Sequence, residues 1–103
     1  MNIKVLDLKS ISETLEYFIV ATGESSLQLK AMQDNVKDDL KSVGVLPKGI
    51  EGPSERWVLM DYGDTVVHLM NAEAREFYDI EGLWADAEVL PVKPTLVPIQ
   101  AQV

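Results

Sequence analysis

Cysteine is absent from this 103-residue chain, and histidine occurs once, as His68. The first absence excludes disulfides, zinc–thiolate sites and thiol nucleophiles. It is compatible with a reducing compartment. No apolar run approaches the roughly 18 residues of a membrane span. The start, Met-Asn-Ile-Lys-Val-Leu-Asp, has neither the apolar stretch nor the small-residue cleavage site of a secretion signal. A soluble, cytoplasmic protein is expected. Basic residues are also scarce: nine Lys and Arg stand against seventeen Asp and Glu, a net charge of −8. Nucleic-acid affinity comes largely from Lys and Arg displacing counterions, so no primary nucleic-acid contact is expected. An acidic chain suits a basic partner, a metal, or plain solubility.

What is present is an ordinary globular composition, 47% apolar, at a length that suits one domain. The charge is uneven. The 32 residues from 57 to 88 carry −7 of the −8, with Arg75 their one cation. Such a run is either a solvated helix face or a docking surface for something basic.

Residues 3–8 read as a strand. Tyr17-Phe18-Ile19-Val20-Ala21-Thr22 is a mostly apolar run suited to a strand buried on both faces, central in a sheet. Ser25 and Gln28 fit a capping box at the start of a helix. Leu29, Met32, Val36, Leu40 and Val43 form its apolar stripe, Gln33 lies on the outer face, and Gly44 closes it. Residues 44–56 hold three glycines and two prolines, a loop too punctuated for regular structure. Trp57–Met60 and Thr65–Met70 read as an antiparallel hairpin, with Gly63 free to take positive φ in its turn. Asn71 suits an N-cap for a last helix over about 72–84, with Ala74, Phe77, Ile80, Leu83 and Trp84 on its buried side and Gly82 weakening it. The expected fold class is α/β, a small mixed β-sheet covered by helices in the order β-β-α-β-β-α. Residues 1–88 form the domain. Residues 89–103, with Pro91, Pro94 and Pro98, form an extended tail whose apolar residues suit packing on the sheet edge or on another copy.

Catalytic signals are thin. No Gly-x-Ser-x-Gly elbow accompanies His68, and no dinucleotide or P-loop fingerprint occurs. Ser25 and Ser26 between a strand and a helix, followed by Asp61 and Asp64, sketch a metal-dependent nucleotidyltransferase. Those enzymes place two carboxylates two residues apart on one strand face, whereas these two are three apart across a turn. A binding role fits better. Trp57, Leu59 and Asp61 share one strand face; His68 and Met70 share a face of the next. One sheet face is expected to expose such residues, since tryptophan within a charged rim is the usual make-up of an interface anchor.

Six ordered blocks resemble the ribosomal silencing factor, or Iojap, family. They are Val5-Leu6-Asp7; residues 17–23 with Ser25-Ser26; Gly49-Ile50-Glu51-Gly52; residues 57–64; residues 66–70; and residues 75–81 with Leu83-Trp84. The resemblance covers about residues 3–87. It implies a fold related to nucleotidyltransferases without their catalytic set, and hence no enzymatic activity, cofactor or metal. It implies a translation repressor that binds the large ribosomal subunit at its fourteenth protein and blocks joining of the small subunit. The expected contact residues are Trp57, Leu59, Asp61, Asp64, His68 and Met70, with Glu51, Tyr78 and the acidic last helix at the rim. Homodimers are also implied. Members usually carry a helix before the first strand, which is missing here and leaves apolar surface for a dimer. Gly82 replaces a longer side chain. The alternatives are the nucleotidyltransferase above and a bare dimerisation module with His68 and Met70 inside its contact.

Overall fold

A computed structural model describes residues 2–52 and 56–91. Its elements are β1 (Lys4–Asp7), β2 (Tyr17–Thr22), α1 (Ser26–Ser42), β3 (Gly49–Glu51), β4 (Trp57–Asp61), β5 (Thr65–Met70), α2 (Ala72–Tyr78), α3 (Ile80–Leu83) and β6 (Glu88–Leu90). They build one mixed sheet in the order β3-β4-β5-β2-β1-β6. β2 is central and pairs parallel with β5; every other pairing is antiparallel.

The α/β class is as expected, and several details are new. Residues 44–56 do hold structure, because β3 pairs with the outer edge of β4 and sets Ile50 opposite Met60. That edge would otherwise present unpaired backbone groups. The start of the assigned tail lies on the sheet edge, one of the two places its apolar residues suited: β6 pairs with β1, Leu90 opposite Val5. Its remaining residues, 92–103, lie outside the described residues. The last helix is two helices, broken at Asp79. The α1 stripe also runs out. Leu29 and Met32 are buried, but Val43 is 71% exposed, because a 17-residue helix outreaches a six-residue strand. Gln33 is buried rather than outward-facing.

The local signals elsewhere hold. The Ser25 side chain accepts from the Gln28 N–H at 3.1 Å, and the Gln28 side chain reaches back to the Glu24 N–H. Gly44 takes φ +85° at the end of α1.

Strand alternation divides the core in two. Under α1 lie Val58, Met60, Val67 and Leu69 with Leu29 and Met32. Under α2 and α3 lie Leu6, Phe18, Val20, Val66 and Met70 with Ala74 and Ile80. Fully burying side chains such as Leu29, Met60 and Leu69 stabilises the fold by about 1.5–3 kcal/mol each. Beside α1 the sheet keeps an apolar groove of about 210 Å³ lined by Ile3, Ile19, Ala21, Met32 and Val36. No described helix is long and apolar enough to cross a membrane.

Candidate functional site

The β4–β5 register sets Trp57 opposite Met70, Leu59 opposite His68 and Asp61 opposite Val66. Glu51 of β3 stands opposite Leu59. Directly paired residues project from the same sheet face. Glu51, Trp57, Leu59, Asp61, His68 and Met70 therefore share the face that carries α2 and α3. Those helices cover its β1, β2 and β5 part and leave the β3–β4 flank open.

Two of the expected contact residues are not surface residues. His68 is 3% exposed and Met70 is fully buried. Helices cover both faces of the sheet, and α2 lies over this part of β5. His68 and Met70 thus support the surface from below, which also removes them from any dimer contact. Trp57, Leu59 and Asp61 are half-buried, while Glu51 and Asp64 are exposed.

The α2 segment brings aromatic rings to this flank. Asn71 Oδ1 accepts from the Ala74 N–H at 2.8 Å and starts the helix. The Tyr78 ring lies against Trp57, with centroids 4.6 Å apart, and Phe77 meets Tyr78 edge-on at 5.0 Å. Both residues are exposed, Phe77 by 79%. Helical spacing from Ala74 to Ile80 puts Phe77 on the buried side; the observed exposure corrects that expectation, and Leu83 is likewise exposed at 77%. The buried side of α2 is centred on Ala74 and Arg75, and Phe77 lies off it. For Leu83 the cause is Asp79, whose left-handed backbone at φ 46°, ψ 52° ends α2 after seven residues and reorients everything after it. The sequence did hold a signal: Asp79 directly before apolar Ile80, with acidic Glu81 next, is a second helix start.

Arg75 clamps this arrangement. Its guanidinium is buried and donates from Nε and Nη2 to Glu81 at 2.9 and 3.2 Å. Nη1 donates to Thr22 Oγ1 and to the Asn2 carbonyl, each at 2.6 Å. One side chain so ties α2 to α3, to β2 and to the start of the chain. The Arg75 guanidinium holds the Glu81 carboxyl below the usual carboxylate range, and Lys4, 3.3 Å from Glu81, adds to it. Arg75 is also the single cation between 57 and 88. With it sequestered, the charge that stretch shows to solvent is negative.

Beneath the surface, Trp57 Nε1 donates to His68 Nδ1 at 3.2 Å. Phe18 packs edge-on against His68 at 4.7 Å. Burial pushes the His68 imidazole down to about 4, so it is neutral at pH 7.

The nucleotidyltransferase set does not assemble. Asp61 Oδ1 accepts from the Gly63 N–H at 2.8 Å within the hairpin turn. The Asp64 carbonyl accepts from the Glu16 and Tyr17 N–H groups, at the start of β2. Ser25 and Ser26 follow the end of β2, a full strand of about 20 Å away. Among the described residues no three of His, Asp or Glu converge to hold a metal ion.

Comparison with known proteins decides the family. The family model described as ribosomal silencing factor during starvation matches residues 1–102. The chain belongs to the ribosomal silencing factor family. It is 40% identical over 87 residues to ribosomal silencing factor RsfS of Bacillus subtilis, covering 84% of this chain and 74% of that protein. It is 46% identical over 80 residues to RsfS of Chromobacterium violaceum, covering 77% of this chain and 66% of that protein. The chloroplastic protein Iojap of Arabidopsis thaliana is 34% identical over 87 residues, and the chain spans 36% of it. The family fold is shared as well. A crystal structure of a Chromobacterium violaceum protein superposes with TM-score 0.78 at 41% identity, covering 93% of this chain and 77% of that one. A Bacillus halodurans structure gives 0.75 at 32% identity, covering 88% and 83%.

Proposed function

We propose that this ribosomal silencing factor is a non-catalytic translation repressor. It docks on the large ribosomal subunit at its fourteenth protein and sterically blocks association with the small subunit. The carrying observation is the Trp57–Tyr78 pair, two rings in contact at 4.6 Å with their planes tilted by 46°, on an open sheet flank. Phe77, Leu59 and Asp61 extend that surface, Glu51 borders it, and Asp64 lies at the adjoining turn. Aromatic anchors inside a charged rim supply most of the affinity in protein interfaces. The negative charge of the region suits a basic ribosomal protein and speeds encounter. An acidic protein can in this way act on an RNA machine by gripping a protein on it. The reading needs no cofactor and no metal.

A homodimer, if it forms, needs other apolar surface, since His68 and Met70 are buried. The groove beside α1 lies on the opposite sheet face and suits a second copy. A dimer there leaves the aromatic flank free for the ribosome.

Co-sedimentation with purified large subunits tests the function. The wild-type protein is expected to pellet with them at physiological salt, and rising salt is expected to slow association. Trp57→Ala is expected to weaken binding by about 2 kcal/mol or more while remaining folded. No binding by the wild-type protein would sink the reading.

A further inference from the structure

His68 is an odd choice for its position. It sits in β5 between β2 and β4, beside Val20 and opposite Leu59, and is 3% exposed. No partner protein can touch it there. An apolar side chain of similar size would fill the space without the cost of desolvating an imidazole. Only one of its nitrogens is used: Nδ1 accepts from the Trp57 indole, while Nε2 has no hydrogen-bond partner among the described residues. An indole N–H can only donate, so Nδ1 is the acceptor and the proton resides on Nε2. The imidazole is held from behind. Phe18 meets it edge-on at 71°, and Trp84 in turn meets Phe18 edge-on at 5.6 Å. A run of rings therefore crosses the core, from half-buried Trp84 through buried Phe18 and His68 to Trp57 and Tyr78.

We propose that His68 is a positioning residue for the docking surface: its Nδ1 holds the Trp57 indole, and through it the Tyr78 ring, in the orientation that the partner meets. The proposal rests on the docking reading above. Its physical gain is preorganisation, because a side chain already fixed before encounter loses less freedom on binding. Burial keeps the imidazole neutral, so the acceptor is present throughout the physiological range.

Three variants test it. His68→Leu removes the acceptor and keeps the core apolar. His68→Asn keeps an acceptor near the Nδ1 position. His68→Gln moves the acceptor toward the Nε2 position and stands in for His68→Leu should that variant not fold. The first readout is the indole N–H of Trp57 in the free protein, followed by NMR and assigned with Trp57→Phe; Trp84 is the only other tryptophan. His68→Leu is expected to shift that resonance and speed its exchange with solvent about tenfold, with a cooperative melt retained. His68→Asn is expected to return it toward wild type. The second readout is affinity for purified large subunits, expected to fall about fivefold in His68→Leu and to recover in His68→Asn. An unchanged indole resonance overturns the proposal. So does unchanged affinity in His68→Leu while wild type binds. A wild-type protein that does not bind overturns instead the docking reading, and with it the purpose assigned to His68.

Discussion

Asp79 and Gly82 form the joint between the two short helices: the Asp79 carboxylate accepts from the Gly82 N–H at 3.1 Å, from a left-handed backbone. A Cβ at residue 82 would lie 2.1 Å from Asp79 Oδ2. Gly82 is thus the residue that fits beneath a capping carboxylate, and it does more than weaken a helix.

That joint makes an unusual prediction for Gly82→Ala. Helix propensity alone favours Ala by about 1 kcal/mol. The new methyl must displace the Asp79 carboxylate, which loses a cap worth about 0.5–2 kcal/mol and adds steric strain. The net expectation is a loss of about 1 kcal/mol in urea denaturation. A gain of similar size would show that the cap is dispensable. Asp79→Ala is expected to cost about 2 kcal/mol, since it loses the cap and forces a non-glycine residue without compensation into positive φ.

Arg75 carries the second prediction. Removing one partner of a buried ion pair costs about 3–5 kcal/mol. Glu81 retains 24% of its side-chain exposure, so water softens the loss. Arg75→Met is expected to lower stability by about 2–3 kcal/mol. Arg75→Lys is expected to recover little, because an ammonium cannot reproduce the two-pronged contact with Glu81 together with the bonds to Thr22 and Asn2. Equilibrium unfolding of both variants checks this; a fully stable lysine variant would refute the clamp.

Acidity should weaken the fold through His68. Its pKa is about 4 in the folded chain and 6.5 as an ordinary imidazole. Between those values the unfolded chain binds a proton that the folded chain excludes. Stability therefore rises with pH across this window and is lost as pH falls from about 6.5 toward 4. The full effect is about 3 kcal/mol. Glu81, held low by Arg75, loses stability in the same direction as it protonates. Urea midpoints measured at about pH 7 and about pH 4.5 should separate strongly in the wild type and much less in His68→Leu. Equal slopes in the two proteins would remove His68 as the cause.

Phe77 separates folding from docking. It is 79% exposed, so Phe77→Ser should change stability by no more than about 0.5 kcal/mol. As part of the aromatic flank it should nonetheless weaken subunit binding about tenfold. Thermal melting and co-sedimentation of the same preparation check both halves. A large drop in melting temperature would mean that the exposed ring, with its edge-on contact to Tyr78, holds the fold together.

Much of this was readable residue by residue. Ser25, Gly44, Gly63 and Asn71 act within a few positions of themselves, so their caps and turns follow from local chemistry. The central place of residues 17–22 follows from their apolar run. The six family blocks pointed to the same flank of the sheet that the pairing register then assembled from Glu51, Trp57, Leu59 and Asp61. β3 and β6 escaped because each is three residues long and is a strand only by virtue of its neighbour, β4 for one and β1 for the other.

The amino-acid sequence by itself determined the family, the α/β class, the acidic C-terminal half and the residues from which a docking surface could be made. Which of those residues face a partner was decided by tertiary structure. Strand alternation puts Trp57, His68 and Met70 on one face whatever covers it. Only the placement of α2, clamped by Arg75 and ended at Asp79, buries His68 and Met70 while leaving Phe77 and Tyr78 outside. Burial depends on what packs from elsewhere in the chain, and no local pattern in β5 or α2 carries that information.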